Sequence, residues 1–255
     1  MKHIVFFSSG IASWMAAKRV AAKHGVENLF LVFADTLIED EDNYRFLQEA
    51  AANVGGTLIL LKDGRTPWDV FKEKRFINHR QSNCSLELKV KPCRAWTEAH
   101  VESPQEAILY FGIGWVEQER IPAITKGWQP FVVEFPLLWE EWVDAKAIDA
   151  ELRNNNLRRP RMYDMGFAHS NCGGFCPKAG QKHYRNLLKN FPERYREHEE
   201  EEQRFMQLLN RKDIGIIRKE GKVLSLREWR QIIESEPKQL SFDFDLIGGC
   251  GCFLE

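Results

Sequence analysis

The sequence predicts an α/β fold built on a doubly wound, mostly parallel sheet, and three observations predict it. Ile4-Val-Phe-Phe7 is an apolar run of the length expected for a strand buried on both faces, Leu29-Phe-Leu-Val-Phe33 is strand-like, and Leu58-Ile-Leu-Leu61 is a third strand candidate. Helical patterns separate them, and the alternation strand, helix, strand is the signature of crossover units. Polar turns, Ser8 to Ser13 and Asp35-Thr36, follow the first two runs directly, so both fall at the carboxyl edge where such sheets bind ligands.

The elements follow in order. After the first run, Ser8-Ser-Gly-Ile-Ala-Ser13 leads into a helical pattern carried by Trp14, Met15, Ala17, Lys18 and Val20. A strand, a Ser/Gly loop and a helix N-terminus make an anion site from free amides, helix dipole and hydroxyl donors. Serine also caps ordinary helices, and that alternative stays open. After the second run, Asp35 suits a metal or a ribose hydroxyl, or simply caps the loop. The acidic run Glu39-Asp-Glu-Asp42 reads as the solvated start of a helix extending to Val54. Beyond Asp63-Gly-Arg-Thr-Pro67 the chain turns basic: Lys72, Lys74, Arg75, His79, Arg80, Lys89, Lys91 and Arg94 surround Cys84 and Cys93. Such groups stabilise thiolate and bind phosphate or sulfate oxygens, or form a polar helix face. Ile108-Leu-Tyr-Phe111 is a further strand, and the loop Gly112 to Arg120 behind it carries Gly114, Glu117, Glu119 and Arg120.

Length and composition narrow the classes. At 255 residues the chain can bury a full core, and a net charge of −1 with 29% charged and 44% hydrophobic residues is the balance of a globular enzyme, not of a nucleic-acid-coating tail. No apolar run approaches the roughly 20 residues that span a bilayer, and Met1-Lys-His-Ile4 enters a strand pattern without signal-peptide features. A cytoplasmic location with no membrane partner is therefore expected. In that reducing setting six cysteines read as metal-binding or catalytic.

The most informative stretch is Arg161-Met-Tyr-Asp-Met-Gly-Phe-Ala-His-Ser-Asn-Cys-Gly-Gly-Phe-Cys-Pro177. Its glycines let the backbone turn so that Cys172 and Cys176 face one soft metal centre. Two buried cysteines in a tight turn, or a disulfide, are the alternatives. Further on, Pro192 to Leu209 reads as a helix with a solvated face and scattered apolar contacts at Tyr195, Phe205, Leu208 and Leu209. Ile214 to Leu224 reads as a hairpin turning at Glu220-Gly221, and Ser225-Leu-Arg-Glu228 as a capping box opening a helix through Ile233. Ser235 to Phe244 is then a connector to the tail. Residues 1–180 are expected to form one domain that includes the metal-site loop, and 181–255 a helical extension, small hairpin and Cys-Gly-Cys tail packed on the same domain.

Several of these segments, in this order, resemble the phosphoadenosine phosphosulfate (PAPS) reductase family within the PP-loop, adenine nucleotide alpha-hydrolase-like superfamily. Ser8-Ser-Gly-Ile-Ala-Ser13 stands at the modified phosphate loop, and Phe33 to Phe46 resembles the Asp-Thr-Gly segment with its Tyr-Arg helix. Cys84-Ser-Leu-Glu-Leu-Lys-Val-Lys-Pro92 is similar to Cys-Cys-x-x-x-Lys-Val-x-Pro, and Gly112 to Arg120 to Gly-x-Arg-x-x-Glu. Met162-Tyr-Asp-Met-Gly-Phe167 resembles the Tyr-Asp-x-Gly-Tyr segment before a cysteine pair. The departures are specific. Ser9 stands where the loop has glycine and Ala12 where it has aspartate, which argues against ATP pyrophosphatase chemistry; sulfonucleotide-reducing members also lack that aspartate. Of the tandem cysteines only Cys84 is present, beside Ser85. Gly248-Gly-Cys-Gly-Cys-Phe253 replaces the usual Glu-Cys-Gly-x-His.

The resemblance implies an adenine-nucleotide-binding sulfur enzyme. Ser8, Ser9, Gly10 and Ser13, with Arg80 and Lys89, would hold phosphate or sulfate. Asp35 and Thr36 would orient the adenosine, and Gly114, Glu117 and Arg120 complete the nucleotide set. Cys84, Cys172 and Cys176 with Cys252 would ligate a [4Fe-4S] cluster, with zinc as the alternative metal. Cys250 or Cys252 would then be the nucleophile on a sulfonucleotide (PAPS or APS), regenerated by a dithiol reductant protein. Alternatively three cysteines hold a cluster with one open iron, and ATP with Mg activates a nucleic acid for thiolation. A metal-stabilised nucleotide-binding module without catalysis is the third reading. Cys93, outside every motif, reads as an ordinary buried thiol.

Overall fold

The computed structural model describes residues 1–77, 83–139 and 143–236. Five strands, β1 (Lys2–Phe6), β2 (Leu29–Asp35), β3 (Thr57–Lys62), β4 (Ala107–Tyr110) and β5 (Val132–Glu134), form one parallel sheet in the order β3-β2-β1-β4-β5. Val5 lies opposite Leu31 on one side and Tyr110 on the other. The order runs outward from β1 to β3 and then restarts on the other flank, so the direction of winding reverses between β1 and β4. That reversal opens a crevice at the carboxyl edge of the sheet.

Alternation along β1 divides the core. Val5 and Phe7 face a cluster with Leu31, Phe33, Trp14 and Phe46, under α1 (Ile11–His24) and α2 (Glu41–Val54). Ile4 and Phe6 face the other, with Val32, Leu109, Ile124 and Trp128. Period-two alternation of apolar residues on both faces is what a covered parallel sheet requires, and each such side chain is worth about 1.5–3 kcal/mol of burial. The second face is covered by the helices that come after α3 (Pro67–Lys74), which itself packs elsewhere. There α4 (Asn83–Ser85) continues through a π-helical stretch, Leu86–Val90, into α5 (Lys91–His100), followed after β4 by α6 (Ile121–Gly127). Cys93 lies in this second cluster, and burial pushes its thiol up to about 12, as an ordinary core thiol requires.

Two elements carry no clear mark in the sequence. β5 is only three residues long, and α7 (Ala145–Asn154) is held by Asp144, whose side chain accepts from the Ala147 amide. Next come α8 (Arg161–Asp164), α9 (Gln181–Asn190), α10 (Pro192–Leu209), the hairpin β6 (Ile217–Lys219) and β7 (Lys222–Leu224), and α11 (Leu226–Ser235). The hairpin turns at Glu220 and Gly221, both with positive φ, and Ser225 and Glu228 close a capping box on α11, both as the sequence indicates. These C-terminal elements share a third apolar cluster with α3 and the cysteine loop: Trp68, Phe71, Phe175, Tyr195, Phe205 and Trp229 meet there. Among the described residues no helix is long and apolar enough to cross a membrane.

The structure corrects two readings of charged segments. Glu39, Asp40 and Asp42 are not a solvated helix start but are buried: arginines from the 158–194 region close over Asp40 and Asp42, and Lys89 stands beside Glu39. The face of α10 is likewise not simply solvated. Tyr195, His198, Glu199, Glu202 and Phe205 recur at three- and four-residue spacing and are all buried. Glutamates at two of those positions mask the apolar stripe in the sequence.

Candidate functional site

The site is built from the loops that leave the carboxyl ends of β1, β2 and β4. After β1, Ser9 takes φ 56°, a left-handed conformation usually reserved for glycine, and is fully buried with its hydroxyl unpartnered. The loop then enters α1 at Gly10, whose position offers no side-chain cap to the first helical amides. Ser13 Oγ donates to the Gly10 carbonyl at 2.8 Å, and Ser8 Oγ lies 3.3 Å from Ser13 Oγ. An uncapped helix start flanked by hydroxyls is chemically suited to an anion.

The loop after β4 packs directly on this turn. A Cβ at Gly112 would come within 2.9 Å of the Ser13 Cα and N, so only glycine lets the two chains approach. Tyr163 closes the opposite side: a Cβ on Gly10 would lie 3.3 Å from its hydroxyl. Further along, Glu117 and Arg120 form an ion pair with each other, and the position of Gly114 faces open space.

After β2, Asp35 is buried and accepts at Oδ1 from the Leu37 amide (2.8 Å) and the Tyr44 hydroxyl (2.7 Å). Lys62 Nζ stands 3.5 Å from its other oxygen. Leu37, third in the segment resembling Asp-Thr-Gly, has φ 63°. Thr36 Oγ1 lies 2.9 Å from Glu39 Oε1 and 3.8 Å from Cys172 Sγ, and its single proton serves one of them at a time.

Glu39 is the hub that sequence reading misses. Its carboxylate receives Asn43 Nδ2 at 3.3 Å and the Cys172 amide at 2.5 Å, with Lys89 Nζ 3.8 Å away. Burial raises its pKa, and Lys89, Thr36, the Cys172 amide and Asn43 only partly offset this. Lys89 is itself buried against this carboxylate. Asn43 Nδ2 also donates to the Ser170 carbonyl at 2.7 Å, so Glu39 and the first turn of α2 together hold the cysteine loop at two points.

Cys172, Gly173 and Gly174 all have positive φ, which realises the tight glycine turn expected from the spacing. A Cβ on Gly173 would sit 2.4 Å from the Ile38 carbonyl, and one on Gly174 2.9 Å from Leu187 and Met162. Phe175 stacks on His198 with ring centroids 4.3 Å apart, and the Tyr184 hydroxyl donates to the Cys176 carbonyl at 2.7 Å. Asp40 is the second anchor. Burial pushes its carboxyl up, but the guanidiniums of Arg161 (2.8 Å) and Arg194 (2.9 Å) outweigh this and hold it below the usual range. Arg194 also donates to the Gly173 carbonyl at 2.9 Å. Nearby, burial and then the neighbouring His183 and Lys89 depress His169 to about 3, and its Nδ1 is unpartnered.

The structure thus brings Ser8 to Ser13 against the post-β4 loop, and Thr36, Lys89 and Cys172 together around Glu39. Cys84 packs on the same apolar cluster as Phe175. Among the described residues, no group of three or more His, Cys, Asp or Glu side chains is placed to hold a metal ion. Arg80, Cys250 and Cys252, with most of the connector, lie outside the described residues. The residues missed were Glu39, Asp40, Asn43, Tyr44, Tyr163, Arg161 and Arg194. For Tyr163 and Arg161 the motif Arg161-Met-Tyr-Asp164 was the available signal.

The chain matches no protein-family model and no curated protein. Among solved structures it is similar to the crystal structure of phosphoadenylyl-sulfate (PAPS) reductase from Candida auris in a phosphate complex. The sequence identity is 20% and the TM-score 0.45, with 66% of this chain and 79% of that one covered.

Proposed function

We propose that this chain is an adenine-nucleotide-binding sulfur-metabolism enzyme that reduces a sulfonucleotide by thiolate attack. The observation that carries the reading is the seating of the cysteine loop on the end of β2, with Cys172 Sγ 3.8 Å from Thr36 Oγ1. A sulfur-bearing loop fixed beside an uncapped, serine-lined helix start places soft and anion-binding chemistry on one edge of the sheet.

In this mechanism the serine turn and the first amides of α1 hold the phosphate or sulfate oxygens, and Asp35 and Thr36 orient the adenosine. A thiolate of Cys250 or Cys252 attacks the sulfur of the bound sulfonucleotide. A sulfur–sulfur bond forms, the bond from sulfur to the phosphate oxygen breaks, and the nucleotide leaves with that electron pair. A thiolate from a dithiol protein then attacks the cysteine sulfur, releasing sulfite, and its second thiol closes a disulfide and frees the cysteine.

Thiols at Cys84, Cys172, Cys176 and Cys252 have the softness that an iron-sulfur cluster or zinc requires. The described residues do not gather three such donors around one ion, so no step is routed through a metal. Iron, acid-labile sulfide and zinc analysis of protein purified without oxygen tests the assignment. Nucleotide titration in the same preparation tests the reaction. Preference for a 3′-phosphorylated adenine nucleotide, with sulfite formed from its sulfated form, supports reduction. Cleavage of ATP to AMP overturns it in favour of sulfur transfer, and tight binding with no product in either assay leaves a binding module.

A further inference from the structure

Four rings close around the start of β1, at the end of α1 opposite the serine turn. His3 stacks on His24, the last residue of α1, with ring centroids 4.1 Å apart and an interplanar angle of 20°. Its Nδ1 lies 2.8 Å from the Tyr110 hydroxyl at the end of β4. His24 in turn meets the Tyr110 ring at 6.2 Å and the Trp139 ring, edge on, at 6.4 Å. His3 is only 7% exposed, whereas His24 is open to solvent, so a second proton on this pair would have to enter the buried ring.

The charges nearest the pair are mainly positive. Lys23 Nζ stands 4.1 Å from the centre of the Trp139 ring, the Met1 amine acts on His3, and Lys2 turns away to the His100 carbonyl. Two carboxylates are near: Glu134, the register partner of Tyr110, and Glu27, whose Oε2 lies 2.6 Å from where a Cβ on Gly25 would be. Neither is among the groups that act on His3, which burial, then His24, then the Met1 amine hold below its ordinary 6.5. Backbone bonds flank the stack: the His3 amide donates to the Asn28 carbonyl at 2.8 Å, and the Gly25 amide closes α1 on the Ala21 carbonyl at 2.9 Å. Neutral imidazoles stack favourably, but two imidazolium ions at this separation repel, and the buried one has also lost its water. The Tyr110 hydroxyl both donates and accepts, so that bond survives protonation and the stack does not.

We propose that the His3–His24 stack is an acid-sensitive latch that fixes the end of α1 to β1 and releases it when both rings are protonated. Once the latch opens, His3 returns to its ordinary value, so the open form takes up a proton that the closed form excludes. Closure is therefore complete above about pH 6.5 and weakens as the pH falls from there toward the depressed value of the closed form. The latch holds the end of α1 away from the serine turn, about 21 Å along the helix, and does not depend on which anion, if any, that turn binds.

Hydrogen exchange of the full chain at pH 7.5 and pH 5.0, read as protection factors with the intrinsic pH dependence divided out, tests it. In the wild type the His3, Gly25 and Leu29 amides are expected to lose about tenfold in protection over that range, while Leu31 and Leu109 in the sheet keep theirs within twofold. His24→Phe leaves a ring on His3 but no charge, and its His3 and Gly25 amides are expected to change less than threefold. The sheet amides of the same sample show that this variant is folded. An imidazole titration by NMR is expected to place His3 below 6.5 in the wild type. Wild-type protection constant to within threefold overturns the proposal, as does a His3 ring that titrates at or above 6.5. A fall of threefold or more in His24→Phe overturns it too, because another group then carries the response. An equal fall at Leu31 and Leu109 likewise overturns it, since the event is then global unfolding.

Discussion

Thr36 Oγ1 and Cys172 Sγ lie 3.8 Å apart although 136 residues separate them in sequence. The contact fixes the cysteine loop to the carboxyl end of β2, and Glu39 is its support: one carboxylate accepts from the Thr36 hydroxyl and from the Cys172 amide. Thr36→Val removes the hydroxyl and leaves a buried carboxylate oxygen short of a donor. The expected loss is about 1–3 kcal/mol of unfolding free energy by urea titration, with Thr36→Ser recovering most of it. A valine variant as stable as the parent would show that Glu39 finds its proton elsewhere.

Gly173 and Gly221 separate two effects of a missing side chain. Both have positive φ, but a Cβ on Gly173 meets the Ile38 carbonyl at 2.4 Å whereas one on Gly221 meets nothing within 4 Å. Gly221→Ala should cost about 1–2 kcal/mol, the left-handed penalty alone. Gly173→Ala should cost more, since the loop must shift as well, and its thermal midpoint should fall below that of Gly221→Ala.

Ser9 and Leu37 present the opposite case. Each holds a left-handed conformation with an ordinary side chain, and Ser9 Oγ makes no hydrogen bond that glycine would forfeit. Ser9→Gly and Leu37→Gly are therefore expected to be neutral or to stabilise by up to about 1 kcal/mol in thermal melts. A clear destabilisation by Ser9→Gly would mean that its hydroxyl has a partner in solution.

Asp40 joins two guanidiniums from distant segments and is itself fully buried. Asp40→Asn leaves Arg161 and Arg194 facing a neutral group. Both arginines retain some solvent contact, so the cost expected in chemical unfolding is about 3 kcal/mol, the low end for a broken buried pair.

The pH dependence of stability should carry the mark of Glu202. Its carboxylate accepts from the Ile216 amide at 3.1 Å and the Leu226 amide at 2.5 Å, yet burial raises its pKa to about 8 from an ordinary 4.5. Between those values the folded chain holds a proton that the unfolded chain has released. This contribution to stability is complete below about pH 4.5 and is lost as the pH rises through about 8. Urea midpoints measured across that window should fall, and Glu202→Gln should flatten the decline.

How much of this was legible depended on whether a residue's neighbours were local. β1, β2 and β4 announced themselves because burial on both faces writes continuous apolar runs such as Leu29–Phe33, whereas the apolar run of β3 lies at the sheet edge with Leu60 exposed. The hairpin turn at Glu220-Gly221 and the Ser225–Glu228 box were legible for the same reason: their partners lie within four residues. β5 was missed since three residues carry no period. Glu39, Asp40 and Glu202 were misread because acidic side chains look solvated until their donors, Lys89, Arg161, Arg194 and the amides of Ile216 and Leu226, arrive from far along the chain. The serine turn follows β1 at the carboxyl edge of the sheet, as the order of elements indicates, whereas the seating of Cys172 beside Thr36 could not be read from that order. The hold on the loop by Glu39 and, from α2, Asn43 had no local signature.

Arg194 sits at the head of α10 and touches both the cap of α2 and the carbonyl of Gly173. One planar cation therefore works as a shared rivet. Anything that pulls Gly173 out of register must loosen the first turn of the longest described helix, and through Glu202 the strain reaches the hairpin and α11. The sulfur loop is in this way tied, through a single helix, to the far side of the molecule.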